Sequence, residues 1–360
     1  MEACVQCFAT GAEALLDAAQ ASEGTCALCD VRGTVWPTEA WSEALRSLAG
    51  VYQVSSVAGN SLGIVLTERW SLFSGQVEGD KFGFLDAVLT ELGSPLRTAS
   101  AVELASADYD AQQLWDRFAG EIKQSHRWFF PTRHYVEEAL EHCVAMRLVD
   151  DWPKSRRMYR ARVCPGVSTE LHWHDMAAPP RSLASAGRAN TRGLPVLYAA
   201  TKSHVALYEC RPSRSAFVAV SQMRATKPLT IANFAPSADN LPNPFDRTDE
   251  DPLEAWQILR ASEFGAIVSR ELSRPLRDSD SVLDYVPTQF VADFIASRGF
   301  DGLRYQSSFG GSVDEPAGDN IVLFDSVAAV PVRVKPEINE VLDVTWNYAV
   351  RTTGDLVAGD

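Results

Sequence analysis

One stretch of this 360-residue chain gathers groups able to do chemistry: GRANTRGLPVLYAATKSHVALYEC, Gly187 to Cys210. Arg188, Arg192, Lys202 and His204 surround the strand-like run VLYAA, and a single acid, Glu209, follows on what reads as a helix. Between Lys154 and Arg214 there are eleven Lys and Arg against three acids, a local +8 in a chain of net charge −14. A basic island in an acidic chain is the footprint of a site for one anionic ligand; a solvated Arg-rich face is the competing reading. The overall acidity argues against a nucleic-acid or membrane-surface binder that works through general basicity.

A second cluster sits at the N-terminus. Cys4-x-x-Cys7 and Cys26-x-x-Cys29 hold four of the seven cysteines. Two such pairs suit one tetrahedral Zn²⁺, because each tight loop presents two thiolates and the segment between folds back to join them. Four thiolates leave no open position for water, so the expected zinc is structural and not catalytic.

The elements that must position these groups fall into two textures. From Pro37 to Leu148 the runs WPTEAWSEALRSLAG, DKFGFLDAVLTEL, ADYDAQQLWDRFAGEI and RHYVEEALEHCVAMRL have helical spacing. Pro153 breaks that pattern, and short β-rich runs follow: MYRARV, PVLYAA, AFVAVSQM, PLTIANF, GLRYQS and NIVLFD. KSHVALYEC, DPLEAWQILRASEFGAIVS and PTQFVADFIASRGF are the helices between them, with Ser203 as the expected N-cap of the first. The Pro-rich NFAPSADNLPNPFDR is expected as a loop covering a site. The start MEACVQCFATGAEALL has no basic region before an apolar core, and no apolar run is long enough to span a bilayer. The expectation is a cytoplasmic α+β protein with reduced cysteines and no membrane segment.

Six motifs in order carry a resemblance: YR at Tyr159–Arg160, GRAN at Gly187–Asn190, PVLYAA at Pro195–Ala200, ALYE at Ala206–Glu209, GFDGLRYQSS at Gly299–Ser308 and GDNIVLFD at Gly318–Asp325. Together they resemble the RES-domain family over about residues 155 to 335. The part before them looks like the Cys-rich and HEPN-like helical segments that precede some RES domains. The resemblance implies four regions: a Cys4 zinc module at 1–35, an all-α HEPN-like region at 36–153, a catalytic domain at 154–335 and a tail at 336–360. It implies a mixed α/β fold similar to ADP-ribosyltransferase toxins, with NAD⁺ consumed as a substrate and inorganic phosphate as the acceptor. A toxin or defence effector, an antitoxin or trigger protein as partner, and homo-oligomers belong to the same expectation. Rival readings are mono-ADP-ribosyl transfer to a protein or nucleotide, and an adaptor with a degenerate catalytic domain.

Matched position by position, the resemblance implies catalytic roles for Arg160, Glu209 and Ser307, and binding roles for Arg188, Tyr198, Tyr159 and Asn190. Two positions depart from the family pattern. Ala189 stands where an aromatic usually follows the Arg of GR, and RYQSS offers Ser308 beside Ser307. The chemistry agrees with the residue types. Arg is a fixed fork of donors that suits a pyrophosphate. A carboxylate beside the ribose stabilises the oxocarbenium character that develops as the glycosidic bond breaks. Nicotinamide leaves neutral, so one acid suffices where glycosidases need two.

Other candidates rank below these. His172-Trp173-His174-Asp175 lacks a third metal ligand at a useful spacing and reads as a loop with surface histidines. Arg127 and His134 have the Arg-to-His spacing of HEPN ribonucleases, but Pro131 between them breaks the helix that would present both. Cys143, Cys164 and Cys210 are expected as buried thiols.

Overall fold

The computed structural model describes residues 1–8, 12–56, 59–74, 77–105, 110–146, 149–168, 170–235, 241, 254–274, 281–309 and 317–344. Its first unit is a three-stranded sheet of β1 (Glu2–Ala3), β2 (Ser22–Thr25) and β3 (Arg32–Pro37), in the order β1-β3-β2. This sheet frames the four N-terminal cysteines. Among the described residues, the segment between the cysteine pairs forms two 3₁₀ turns at Ala12–Leu15 and Ala18–Gln20 ahead of β2.

Helix α1 (Thr38–Gly50) follows, then β4 (Tyr52–Val54), the short α2 (Leu62–Ile64), α3 (Lys81–Glu91) and β5 (Val102–Leu104). Asp80 caps α3 by accepting from the Gly83 amide at 2.8 Å. Strands β4 and β5 pair antiparallel, so the region expected to be all-α contains a small sheet. Three-residue strands are too short to show alternation. Phe8 stacks on Trp41 with ring centroids 3.9 Å apart, tying the cysteine unit to α1.

Gly79 makes the same junction from the other side. Its amide donates to the Leu28 carbonyl at 2.9 Å, and a Cβ there would lie 2.7 Å from both the Ala27 and Leu28 carbonyl oxygens. These are backbone atoms of the Cys26–Cys29 loop and cannot turn aside. Gly79→Ala is therefore expected to cost about 1–3 kcal/mol, read as a lowered melting temperature.

Helices α4 (Ala111–Gln124) and α5 (Arg133–Ala145) lead into the main sheet. Its strands are β6 (Val149–Trp152), β7 (Arg157–Cys164), β8 (Leu197–Ala200), β9 (Phe217–Ala225), β10 (Leu229–Asn233), β11 (Gly302–Gln306), β12 (Asp319–Leu323), β13 (Ala329–Pro331) and β14 (Glu337–Glu340). The order is β13-β9-β7-β8-β12-β11-β10-β6, with β14 also on β9, and only β10–β11 is parallel. All six β-rich runs read from the sequence are strands here. The sheet also extends past both borders read from the sequence, through β6 before Pro153 and β14 after residue 335.

Three helices belong with this sheet: α6 (Ser203–Glu209), α7 (Ala255–Ser273) and α8 (Val286–Ser297). Lys202, not Ser203, holds the N-cap position of α6, and no side chain caps it. The loop read over residues 233–247 lies largely outside the described residues. Helices α4 and α5 pack on α7 and α8 in one apolar core, where Phe118 meets Phe130 and Phe290 with centroids 5.4 and 5.5 Å away. The N-terminal core reaches α7 as well, at Ala255, Ile258 and Leu259. Among the described residues, no helix is long and apolar enough to cross a membrane.

Candidate functional site

Register builds the floor of the site. Tyr159 of β7 pairs with Ala200 of β8, Ala200 with Asn320 of β12, and Asn320 with Tyr305 of β11. Residues directly opposite across neighbouring strands share a face, and all four line one cavity of about 360 Å³. Helix α6 supplies the wall: its last residue is Glu209, on the rim of that cavity, and Cys210 follows.

Glu209 is held by two donors. Ser307 Oγ donates to its Oε1 at 2.8 Å, and Asn320 Nδ2 donates to the same oxygen at 2.6 Å. Among the described residues both bonds fall on Oε1, which fixes the carboxylate while Oε2 accepts from neither. Ser308 is exposed and has no such contact, so the geometry separates the two serines. Ser307 itself reaches the cavity only through Glu209.

Arg160 lies deep in the site. Its NH1 donates to the Tyr198 carbonyl at 2.9 Å, while its Nε is buried with no partner among the described residues. Burial pulls its pKa down to about 10, with Cys210 pulling the other way, which still leaves the guanidinium charged at neutral pH. A buried cation with an open donor is a standing electrostatic cost that an anion would relieve. Arg188 also lines the cavity. Its NH1 donates to the Glu271 carbonyl at 3.1 Å, and its guanidinium faces the Tyr285 ring at 5.4 Å. Burial lowers its pKa, opposed by Tyr285 and Tyr305.

The GRAN turn is a scaffold for Tyr198. The tyrosine hydroxyl accepts from the Ala189 amide at 3.1 Å and donates to Asn190 Oδ1 at 2.9 Å. Asn190 Nδ2 donates to the carbonyls of Ser185, Thr191 and Leu194. A Cβ on Gly187 would stand 2.6 Å from the Tyr198 hydroxyl, so the turn closes only over glycine. Asn190, expected to bind ligand, is buried and does not line the cavity. Ala189 is buried in the core too, so no side chain from this position forms a ligand wall. Burial pushes the Tyr198 phenol up to about 12 and raises that of Tyr305 as well, keeping both as neutral hydroxyls.

The geometry thus gathers Tyr159, Arg160, Arg188, Tyr198 and Glu209 around one cavity, with Ser307 behind Glu209. Sequence reading missed Asn320, although it lies in the GDNIVLFD motif, because an Asn in a strand signals nothing without the register. It also missed Tyr285, Tyr305 and Arg274, which line the cavity from outside the recognised binding positions. Cys210, expected as a buried thiol, is half-buried and lines the cavity; Cys143 and Cys164 are buried. Arg127 precedes α5 and His134 is its second residue, so the two do not share a helix face. His172 and His174 are exposed.

The four N-terminal cysteines converge. The Cys4–Cys7, Cys4–Cys29 and Cys7–Cys26 sulfur pairs are 3.6, 3.7 and 3.7 Å apart, and all four sulfurs lie within 4.8 Å of one another. Four sulfurs at about 2.3 Å from one tetrahedral zinc would be about 3.8 Å apart. Disulfides need about 2.05 Å. Cys26 Sγ accepts from the Cys4 and Leu28 amides at 3.3 and 3.4 Å. Burial raises this thiol, but those amides and that of Cys29 outweigh it and bring it down to about 7, while burial raises Cys4 and Cys7. The cluster is fit to hold one metal ion.

Residues 157–347 match the family model described as the RES domain, a span that includes every cavity residue named above. No curated protein matches the chain. Among solved structures, it is similar to a chain of the crystal structure of the M. tuberculosis MbcT–MbcA toxin–antitoxin complex. The two are 11% identical with a TM-score of 0.31, over 57% of this chain and 92% of that one, a likeness too low to carry an argument.

Proposed function

This chain belongs to the RES-domain family, and on that premise we propose that it consumes NAD⁺. The nicotinamide–ribose bond breaks, and the ADP-ribosyl group passes to inorganic phosphate. The observation that carries the reading is Glu209, fixed through Oε1 by Ser307 and Asn320 at the rim of a cavity that holds two arginines.

In this reading Arg188 grips the pyrophosphate as a planar fork, and Arg160 supplies a second, more deeply buried cation. Tyr198 presents its ring to the flat pyridinium, its hydroxyl being already held by Ala189 and Asn190. Tyr159 lines the floor of the cavity. Glu209 faces the ribose and stabilises the positive charge that grows at the anomeric carbon. Ser307 and Asn320 are positioning residues for that carboxylate, and Asn190 is one for Tyr198. The cysteine cluster holds a structural Zn²⁺, and the helical region before residue 157 is where a trigger or an antitoxin would be sensed.

The test is incubation of the pure protein with NAD⁺, with and without phosphate, and identification of the products. ADP-ribose 1″-phosphate is expected. Free ADP-ribose alone would replace phosphate by water, and intact NAD⁺ would overturn the reading.

Arg188→Lys checks the fork. A lysine keeps the charge but cannot donate to the Glu271 carbonyl and still offer a second, parallel donor to pyrophosphate. The expected result is a fall of about tenfold or more in kcat/KM for nicotinamide release. Arg192→Lys, at an exposed position outside the cavity, should stay within about twofold.

A further inference from the structure

Tyr159 is shared by two cavities. The second, of about 370 Å³, opens between α6, β9 and the segment that joins β13 to β14. Arg333 and Lys335, two residues apart, both line it, and neither has an ion-pair partner among the described residues. Two other cations at this sheet are neutralised: Lys227 pairs with Asp301 at 2.7 Å and Arg304 with Asp319 at 2.5 Å. Glu337 is the single acid on the wall of the second cavity. Two like charges facing one concave space repel, and the field they focus there favours an anion.

The wall also carries hydrogen-bonding groups suited to an anion. Ser221 is 5% exposed, lines this cavity, and has no side-chain hydrogen bond among the described residues. Its hydroxyl can donate to a ligand in the cavity that the residue lines. Gln222, beside it, donates through Nε2 to the Tyr159 hydroxyl at 3.3 Å, so it ties the second cavity to the wall of the first.

We propose that the second cavity is the acceptor subsite, where a phosphate group sits between Arg333 and Lys335 with Ser221 donating to it. The inference rests on the NAD⁺-consuming reading of the adjoining site. From across Tyr159 a phosphate oxygen gives a lone pair to the anomeric carbon of the ribose. The carbon–nitrogen bond to nicotinamide breaks, its electron pair returns to the ring nitrogen, and neutral nicotinamide leaves. The new bond is carbon–oxygen, and the proton of monohydrogen phosphate passes to solvent. Free orthophosphate and the phosphomonoester of a nucleotide share this chemistry, and the cavity has room for the larger of the two.

The experiment uses the full chain as wild type, as Arg333→Ala/Lys335→Ala, and as the charge-retaining Arg333→Lys/Lys335→Arg. Calorimetry with inorganic phosphate and with AMP, both without NAD⁺, is set beside nicotinamide release as phosphate is varied. The double alanine variant should weaken phosphate binding and raise the KM for phosphate at least tenfold, with the KM for NAD⁺ within twofold. The charge-retaining variant should recover most of the loss. AMP that competes with phosphate in wild type and loses its binding in the double alanine variant would assign the subsite to a phosphomonoester; phosphate binding without AMP binding would assign it to the free ion. Absence of both from wild type, or binding untouched by the alanine substitutions, would overturn the proposal. If wild type releases no nicotinamide while phosphate binding still depends on the two cations, the NAD⁺ reading fails and the anion subsite stands.

Discussion

Glu209→Gln is expected to give a folded protein that binds NAD⁺ and turns it over at least about a hundredfold more slowly. The substitution is close to isosteric, and the contacts define what it removes. Ser307 Oγ and Asn320 Nδ2 both donate to Oε1, so a glutamine carbonyl placed there keeps both bonds. The other oxygen becomes an amide, and the negative charge goes. Ground-state affinity rests on the arginines and on Tyr198, so binding should change by less than about threefold. The charge matters when the ribose becomes cationic, and the loss should therefore appear in kcat and not in KM. Folding should be unaffected, because Glu209 is exposed at the end of a seven-residue helix. Calorimetry, nicotinamide release and a melting curve on one preparation decide the matter. Full turnover, or a collapsed fold, would make Glu209 a structural residue.

Ser307→Ala supplies an internal comparison. It removes one donor to Oε1 and leaves Asn320, so Glu209 keeps its charge and loses part of its restraint. A smaller loss than that of Glu209→Gln is the signature of a residue that acts by positioning.

Much of this site was legible because motif residues lie on β7, on β8 and on the short helix that follows, where local sequence and local structure coincide. Tyr159, Arg160, Tyr198 and Glu209 are of this kind. Asn320 and Tyr305 are different. They enter the cavity because β8, β12 and β11 pair in one register, and register is a property of partners distant in the chain. Tyr285 and Arg274 come from the ends of elements around α7 and α8, where no motif marks them.

Domain borders were harder to read for a related reason. Pro153 ends a helical texture, which invites a border there, yet Val149–Trp152 already pairs with β10. Helices α4 and α5 read as part of an N-terminal helical region, but they and the segment between them bury Trp115, Phe118, Phe130 and Leu140 in the same core as Phe264 of α7. Periodicity tells which face of a helix is apolar, not what will cover it. The cysteine pairs were the opposite case, since a four-thiolate site states its own partners.

Cys26→Ser is expected to produce protein without zinc, in which the N-terminal core melts well below the rest of the chain. Cys26 is the most thoroughly held of the four cysteines, wholly buried and accepting from the Cys4 and Leu28 amides. Serine is a poor zinc ligand and leaves three thiolates that repel one another. Loss of a structural metal is among the few changes that cost a domain roughly 3–5 kcal/mol or more. The damage should have a direction. Cys7 and Cys26 share a core with Phe8, Trp41 and Phe84, which reaches α7 at Ala255, Ile258 and Leu259. The cavity that holds Glu209 meets α7 only at its far end among the described residues, at Leu272 and Ser273, roughly 20 Å away at 1.5 Å per residue. Turnover should therefore stay within about threefold at temperatures below the first transition, in contrast to Glu209→Gln. Elemental analysis should give about one zinc per wild-type chain and none in the variant. Limited proteolysis should cut the variant first within residues 1–104. Metal-free wild-type protein with an undisturbed melting curve would mean that the four cysteines are only a buried thiol cluster.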